Sequence, residues 1–267
     1  MGELDGKVAL ITGAARGQGA EHARVLAAAG ADIVAVDVCR EVIPTGYPAA
    51  TRDELDATAA DVEGLGRRVL AAVVDVRDLT ALESVVAKAT AELGGIDIVV
   101  ANAAICSWGT SWEMSEQEWD TTIEVNLSGV WRTMRATVPG MIERGRGGSV
   151  IIISSVAGIK ALPGLPHYSA AKAGLVGLAN AAAVELAPFR IRVNTVHPWS
   201  VATPMRDSPR REPLLERFPH FAASFSAPME GVAEPRDISE AVLWLASDRS
   251  RTVTGTQLTV DFGATKV

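Results

Sequence analysis

Seven short apolar runs constrain this chain more than any other feature. They are KVALITG (7–13), ADIVAVD (31–37), RRVLAAVVD (67–75), IDIVVANA (96–103), GSVIIISS (148–155), RIRVNTVHP (190–198) and QLTVD (257–261). Their apolar residues are continuous rather than alternating, the pattern of strands buried on both faces. Helical composition fills the stretches between them, at 17–29, 52–65, 79–93, 115–143, 167–187 and 235–247. Thr51, with Glu54 three residues on, marks a helix start by a capping box. Strand–helix alternation along the whole chain requires a parallel sheet, since each crossover returns the chain to the same sheet end. The expectation is an α/β fold: one doubly wound parallel sheet of about seven strands with helices on both faces. No linker or repeat divides it, so residues 1–267 read as a single domain.

Two stretches break the alternation. Residues 38–50 form a long insertion after the second run, where such loops usually take about 2–6 residues. Residues 203–233 are rich in proline and carry Phe218, Phe221 and Phe225 at helical spacing. Lying after a strand end, they read either as core or as a lid over an apolar substrate.

Composition excludes several function classes. A net charge of −7 does not suit a nucleic-acid or anionic-membrane surface. The N-terminus MGELDGKVALITG lacks a signal-peptide pattern, and no uncharged stretch is long and apolar enough to span a bilayer. The expected location is the cytoplasm. The two cysteines, Cys39 and Cys106, read as reduced core or pocket residues. His22, His167, His197 and His220 lack metal-ligand spacing and read as structural, with His167 also a pocket candidate because it adjoins Tyr168. No metal is expected.

TGAARGQG (12–19) leaves the first strand and opens the first helix. Its glycines, Gly13, Gly17 and Gly19, allow a tight turn and close approach to a pyrophosphate at the helix N-terminus. Asp37 ends the second strand, 18 residues after Gly19. A carboxylate there accepts from the adenosine ribose hydroxyls and repels a 2′-phosphate, which points to NAD(H). Arg16 and Arg40 favour the alternative, because either guanidinium could pair with a 2′-phosphate.

The stretch LPHYSAAKAG (165–174) places Tyr168 and Lys172 one helical turn apart on one face. A cation held beside a phenol favours the phenolate and makes a better base. Ser155 ends the preceding strand, where its hydroxyl could hold a carbonyl or alcohol oxygen.

With TGAARGQG, Asp75 in VVDVRD, NAAI (102–105), Asn126 in EVNLSGVW, Ser155, YSAAK and PWSVAT (198–203), the chain resembles the short-chain dehydrogenase/reductase family along its length. The resemblance implies a Rossmann-type sheet in the order 3-2-1-4-5-6-7. It implies that Tyr168 is the general acid/base, that Lys172 tunes it and holds the nicotinamide ribose, that Ser155 positions the substrate oxygen, and that Asn126 anchors a relay water. It further implies cofactor contacts from Gly13, Arg16, Gly17, Gln18, Gly19, Asp37, Asp75, Val76, Asn102, Pro198, Val201 and Thr203. Two departures stand out: Ala104 and Trp199 occupy positions where the family usually has glycine. The 38–50 insertion resembles that of the mycofactocin-associated, carveol-dehydrogenase-like branch, which implies tightly held NAD, an apolar alicyclic or terpenoid-like alcohol and a redox carrier as partner.

Trp108, Trp199 and Met205, with His167, are the candidate substrate-pocket residues, and Trp112 is a further aromatic near the presumed lid. Small residues along 167–187 suit close packing between subunits, and the resemblance implies a homotetramer. The reading is an NAD-dependent dehydrogenase acting on a secondary alcohol or its ketone. Its rivals are an NADP-dependent ketone reductase and a non-catalytic nucleotide-binding scaffold on the same fold.

Overall fold

The computed structural model describes residues 2–267. Its strands are β1 (Val8–Thr12), β2 (Asp32–Asp37), β3 (Val69–Val73), β4 (Ile98–Ala101), β5 (Gly148–Ile153), β6 (Ile191–Pro198) and β7 (Gln257–Val260). They form one seven-stranded sheet in the order β3-β2-β1-β4-β5-β6-β7, every pairing parallel. The central strands β1, β2 and β4 are buried at every position. The edges differ from expectation. β3 and β7 are only partly buried, because each has one neighbour instead of two.

Helices α1 (Gly17–Ala28), α2 (Arg52–Gly64), α3 (Leu79–Leu93), α4 (Glu116–Ile123), α5 (Gly129–Arg144), α6 (Pro166–Leu186), α7 (Arg211–Arg217) and α8 (Pro235–Ala246) complete the architecture. Two apolar cores lie on opposite faces of the sheet. Leu26, Leu55 and Ile238 belong to one, and Leu82, Met134 and Leu175 to the other. The capping box of α2 forms as its sequence indicates: the Thr51 side chain accepts from the Glu54 N–H, and the Glu54 carboxylate accepts from the Thr51 N–H.

The expected helix 115–143 is interrupted. A π-helical turn, Glu124–Ser128, separates α4 from α5 and contains Asn126. Such turns insert a residue without ending the helix, so the apolar pattern conceals them. The one local signal is the cluster of weak helix formers Asn126, Ser128 and Gly129. Gly129 is needed here, since a Cβ would meet Val76 at 2.7 Å.

Helix α6, continued through Phe189, is long and apolar enough by composition to cross a bilayer. Here it packs on β6 and on the 156–158 turn. Its outer face leaves Val184 77% and Phe189 42% exposed.

Three histidines are buried inside the fold. His22 Nδ1 lies 2.7 Å from Ser239 Oγ between α1 and α8, and His167 Nε2 lies 2.9 Å from Ser107 Oγ. His197 Nδ1 lies 2.8 Å from the Ser155 carbonyl oxygen. Burial pushes His22 down to about 3, His167 to about 4, and His197 also below its ordinary value. Between pH ~6.5 and ~4 the unfolded chain therefore binds protons that the native state refuses. This stability is present above ~6.5 and lost as pH falls, by up to about 1.4 kcal/mol per pH unit for each imidazole. Denaturant titrations at pH 7.5 and 5 should show a shallower pH slope for His22→Gln than for the parent; identical slopes would refute the account.

Candidate active site

The ends of the strands build the site. β1 runs into Gly13, whose φ of 68° lies in the left-handed region. A Cβ on Gly13 would meet Ala103 Cα at 2.9 Å, and one on Gly19 would meet the Gly13 carbonyl oxygen at 1.9 Å. Glycine is thus demanded both by the turn and by the closeness of α1 to it. Asn102, after β4, fastens this turn: its Nδ2 donates to the carbonyls of Thr12 (2.9 Å) and Gly13 (3.2 Å). Helix α1 begins with neither a side-chain cap nor an acidic residue in its first turn. Its first N–H groups and positive dipole end suit an anion. Gln18 Oε1 is buried there with no protein partner.

Asp37 is 7% exposed at the tip of β2. Its oxygens accept from the N–H groups of Ala15 and Cys39, each at 3.0 Å, which fixes the carboxylate beside the glycine turn. The two arginines that could receive a 2′-phosphate are already engaged. Arg16 donates to the Pro48 carbonyl, and Arg40 donates to Asp75 at 2.9 Å. Asp75 also accepts from Arg77 at 2.6 Å. Burial pushes the Asp75 carboxyl up, but hydrogen bonds from Arg77 and the Arg40 charge outweigh it and hold the group below the usual carboxylate range.

On the other half of the site, Ser155 follows β5 in an extended conformation and caps a 3-10 turn, its Oγ accepting from the Ala157 N–H at 3.1 Å. Its carbonyl is held by His197. Helix α6 starts at Pro166, so Tyr168 and Lys172 fall in its first two turns. The helix lies tight against the turn: a Cβ on Gly158 would meet the Lys172 carbonyl oxygen at 2.7 Å. Lys172 is 2% exposed, and its Nζ donates to the Ile153 carbonyl at 2.7 Å. The same Nζ lies 5.4 Å from the Tyr168 ring centre.

Burial dominates the electrostatics of the Tyr168–Lys172 pair. Burial pushes Tyr168 above its ordinary value, and the Ser155 hydroxyl only partly pulls it back. Burial also lowers Lys172 to about 7. Both groups have lost water, and desolvation disfavours each charged form. Asn126 is 0% exposed, and its side-chain amide pairs with the Ile105 backbone, with Oδ1 accepting from its N–H and Nδ2 donating to its carbonyl, both at 2.8 Å. The π turn thus presents Asn126 as a clamp on the chain beyond β4.

One cavity of about 380 Å³ joins these parts. It is lined by the glycine turn with Arg16 and Gln18, by Asp37, Asp75, Val76 and Asn102, by Ser155, Tyr168 and Lys172, and by Pro198, Val201 and Thr203. Trp108, Trp199 and Met205 line its apolar end. One pocket expectation is not met, and the further aromatic Trp112 also stays outside the cavity. His167 is wholly buried against Ser107 and does not reach the cavity. Trp112 is 68% exposed and packs edge-on against Phe218, with ring centres 5.9 Å apart. Trp199 explains the loss of glycine at its position: its φ is not positive, and its ring stacks on Phe225 at 6.4 Å as part of the wall.

Phe225, Cys106 and Tyr47 also line the cavity. Phe225 lies 5.5 Å from Trp108, ring centre to centre. Cys106 lies in the wall, its thiol pushed up to about 12 by burial and therefore unreactive. Tyr47 reaches in from the insertion and accepts from the Cys106 N–H at 3.1 Å. The insertion touches the far segment too, where Ser208 Oγ donates to the Thr45 carbonyl at 3.3 Å. Only the pairing of distant segments brings these residues together. Helix α7 of the 203–233 segment is clasped from outside by Arg210–Glu118 (2.8 Å) and Arg217–Glu113 (2.7 Å).

Comparison with known proteins agrees with this construction. The family model for enoyl-(acyl carrier protein) reductase matches residues 13–265. The (-)-trans-carveol dehydrogenase of Rhodococcus erythropolis is 46% identical over 99% of this chain and 99% of its own length. The crystal structure of a short chain dehydrogenase from Mycobacterium paratuberculosis bound to NAD is 44% identical, covers 100% of both chains and superposes with a TM-score of 0.97. The carveol dehydrogenase from Mycobacterium avium in complex with NAD is 44% identical over 100% of both chains, with a TM-score of 0.94. Sheet order, strand-end site and these likenesses agree, and the chain belongs to the short-chain dehydrogenase/reductase family.

Proposed function

We propose that this protein is an NAD(H)-linked dehydrogenase that interconverts an apolar, alicyclic or terpenoid-like secondary alcohol and its ketone. The observation that carries the reading is one cavity holding Ser155, Tyr168 and Lys172 beside the uncapped start of α1 and the Asp37 carboxylate. The glycine turn and the α1 N–H groups suit a pyrophosphate, Asp37 an adenosine ribose and Lys172 a nicotinamide ribose. The bound nicotinamide supplies the hydride acceptor or donor. In alcohol oxidation, Ser155 holds the substrate oxygen and Tyr168 removes its proton. Lys172 anchors the far side of the phenol, and the Asn126 clamp keeps the cavity wall in register. Trp108, Trp199, Met205 and Phe225 exclude water and favour an apolar body.

The NADP reading finds no free cation beside Asp37, since Arg16 and Arg40 are both committed. A 2′-phosphate would meet a fixed carboxylate instead. Binding titrations should therefore show NAD preferred over NADP by about 100-fold or more, and Asp37→Ala should narrow that preference by about tenfold. Equal affinities in the unaltered protein would sink this assignment.

The finer parts of the reading follow the family likeness. The cofactor stays bound between turnovers and is reoxidised in place by a redox carrier, as the mycofactocin-associated resemblance implies. The subunits form a homotetramer in the cytoplasm, to which the exposed apolar side of α6 contributes. A sedimentation measurement and the cofactor content of protein purified without added nucleotide test these points.

A further inference from the structure

We propose that the substrate carries a carboxylate on its apolar body and that Arg211 receives it. This rests on the dehydrogenase reading and names the substrate class more closely. Four arginines lie in the segment 203–217. Arg206 pairs with Asp207 (2.9 Å), Arg210 with Glu118 (2.8 Å) and Arg217 with Glu113 (2.7 Å). Arg211 is different. Among the described residues its guanidinium has neither a carboxylate partner nor a hydrogen-bond acceptor, and it lines the substrate end of the cavity. It lies 5.9 Å from the Trp108 ring centre and 5.7 Å from that of Phe225, and both rings line the same cavity. Flanking aromatic faces hold a guanidinium by cation–π attraction and leave its in-plane donors unused.

The surrounding charges favour an anion at this end. The carboxylates that line the cavity, Asp37, Glu41 and Asp75, belong to the ends of β2 and β3 and to the insertion, which is the adenosine side. Lys172 is committed to the Ile153 carbonyl. An anionic group near Arg211 therefore meets one unpaired cation and no opposing carboxylate. A planar fork matches a carboxylate bidentately. A dianionic phosphate would call for a second cation, and Arg206, the other arginine lining this end, is neutralised by Asp207.

The test uses two probe pairs whose members carry either a carboxylate or a methyl group at one ring position. For binding to the NAD-loaded protein, calorimetry compares 4-oxocyclohexanecarboxylate with 4-methylcyclohexanone. For turnover, 4-hydroxycyclohexanecarboxylate is compared with 4-methylcyclohexanol. The carboxylate member should be favoured by about tenfold or more, and Arg211→Leu should reduce the carboxylate-to-methyl ratio by about 10–100-fold, the range expected for a lost charge-assisted hydrogen bond. Arg211→Lys should restore part of the ratio, because the charge remains but the fork is lost. Equal binding of the two members, or a ratio unchanged in Arg211→Leu, overturns the proposal. Carboxylate-selective binding without turnover of either alcohol supports the anion site and counts against the dehydrogenase reading. Turnover of both alcohols without selectivity does the reverse.

Discussion

Tyr168→Phe is expected to reduce alcohol oxidation by about 10²–10⁴-fold while leaving NAD binding largely intact, the usual worth of a positioned acid/base. The change removes one oxygen from a ring that packs against the buried cluster containing Val156 and Leu162, so the wall should keep its shape. The pH dependence distinguishes a base from a spacer. Burial raises the Tyr168 pKa, so the phenolate is the minor form near neutrality. Its fraction grows about tenfold per pH unit below the pKa, so oxidation by the unaltered protein should rise with pH, while ketone reduction, which uses the abundant phenol, should stay nearly flat. The phenylalanine variant should lose that slope together with its rate. Near-normal turnover, or an unchanged pH profile at reduced rate, would assign the proton transfer elsewhere. A positively charged nicotinamide close to Tyr168 would lower its pKa, because a nearby cation favours the phenolate. Burial lowers Lys172 as well, so its charge aids the phenolate less than a solvated lysine's would.

The second large effect concerns the insertion at 38–50. Shortening residues 40–49 to a Gly-Ser link should speed release of bound NAD by about 100-fold or more, with a smaller effect on association, since related complexes differ mostly in off-rate. The reason is the number of separate places where this loop is fastened. Arg16 of the glycine turn donates to Pro48, Tyr47 accepts from Cys106, and Thr45 accepts from Ser208. Ile43 is 3% exposed and Thr45 6% exposed, values foreign to a solvated loop. The loop thus spans from the β1 turn to the far segment across the cavity that β1 and β2 open, and a ligand beneath it can leave only if those contacts part. Stopped-flow displacement of nucleotide from the intact and shortened proteins measures the difference. Rapid release from the intact protein, or no acceleration on shortening, would show that the loop covers nothing. Tyr47→Phe separates the contributions, because it removes the bond to Cys106 and keeps the ring.

Much of this was written in local sequence. The strand runs, the glycine turn, the Thr51 box and the Tyr168–Lys172 spacing each involve residues a few positions apart. Periodicity and turn chemistry act at that range, so the parallel fold and the order of site residues along the chain could be read directly. The same locality hid the π turn at Asn126, whose helical neighbours look ordinary. It also hid the dry edge of His167, which follows the helix into the interior one residue before Tyr168 lines the cavity.

What only the tertiary structure decided is which charges are free and which protons are held. Arg16, Arg40 and Arg211 are indistinguishable as letters in loops or helix starts. Folding commits the first to Pro48 and the second to Asp75, and leaves the third among aromatic rings in the cavity. The pKa shifts of Tyr168 and Lys172 have the same origin. Loss of water is a property of everything packed around a group, assembled here from β5, β6, the 102–107 segment and the insertion, and no spacing along the chain encodes it.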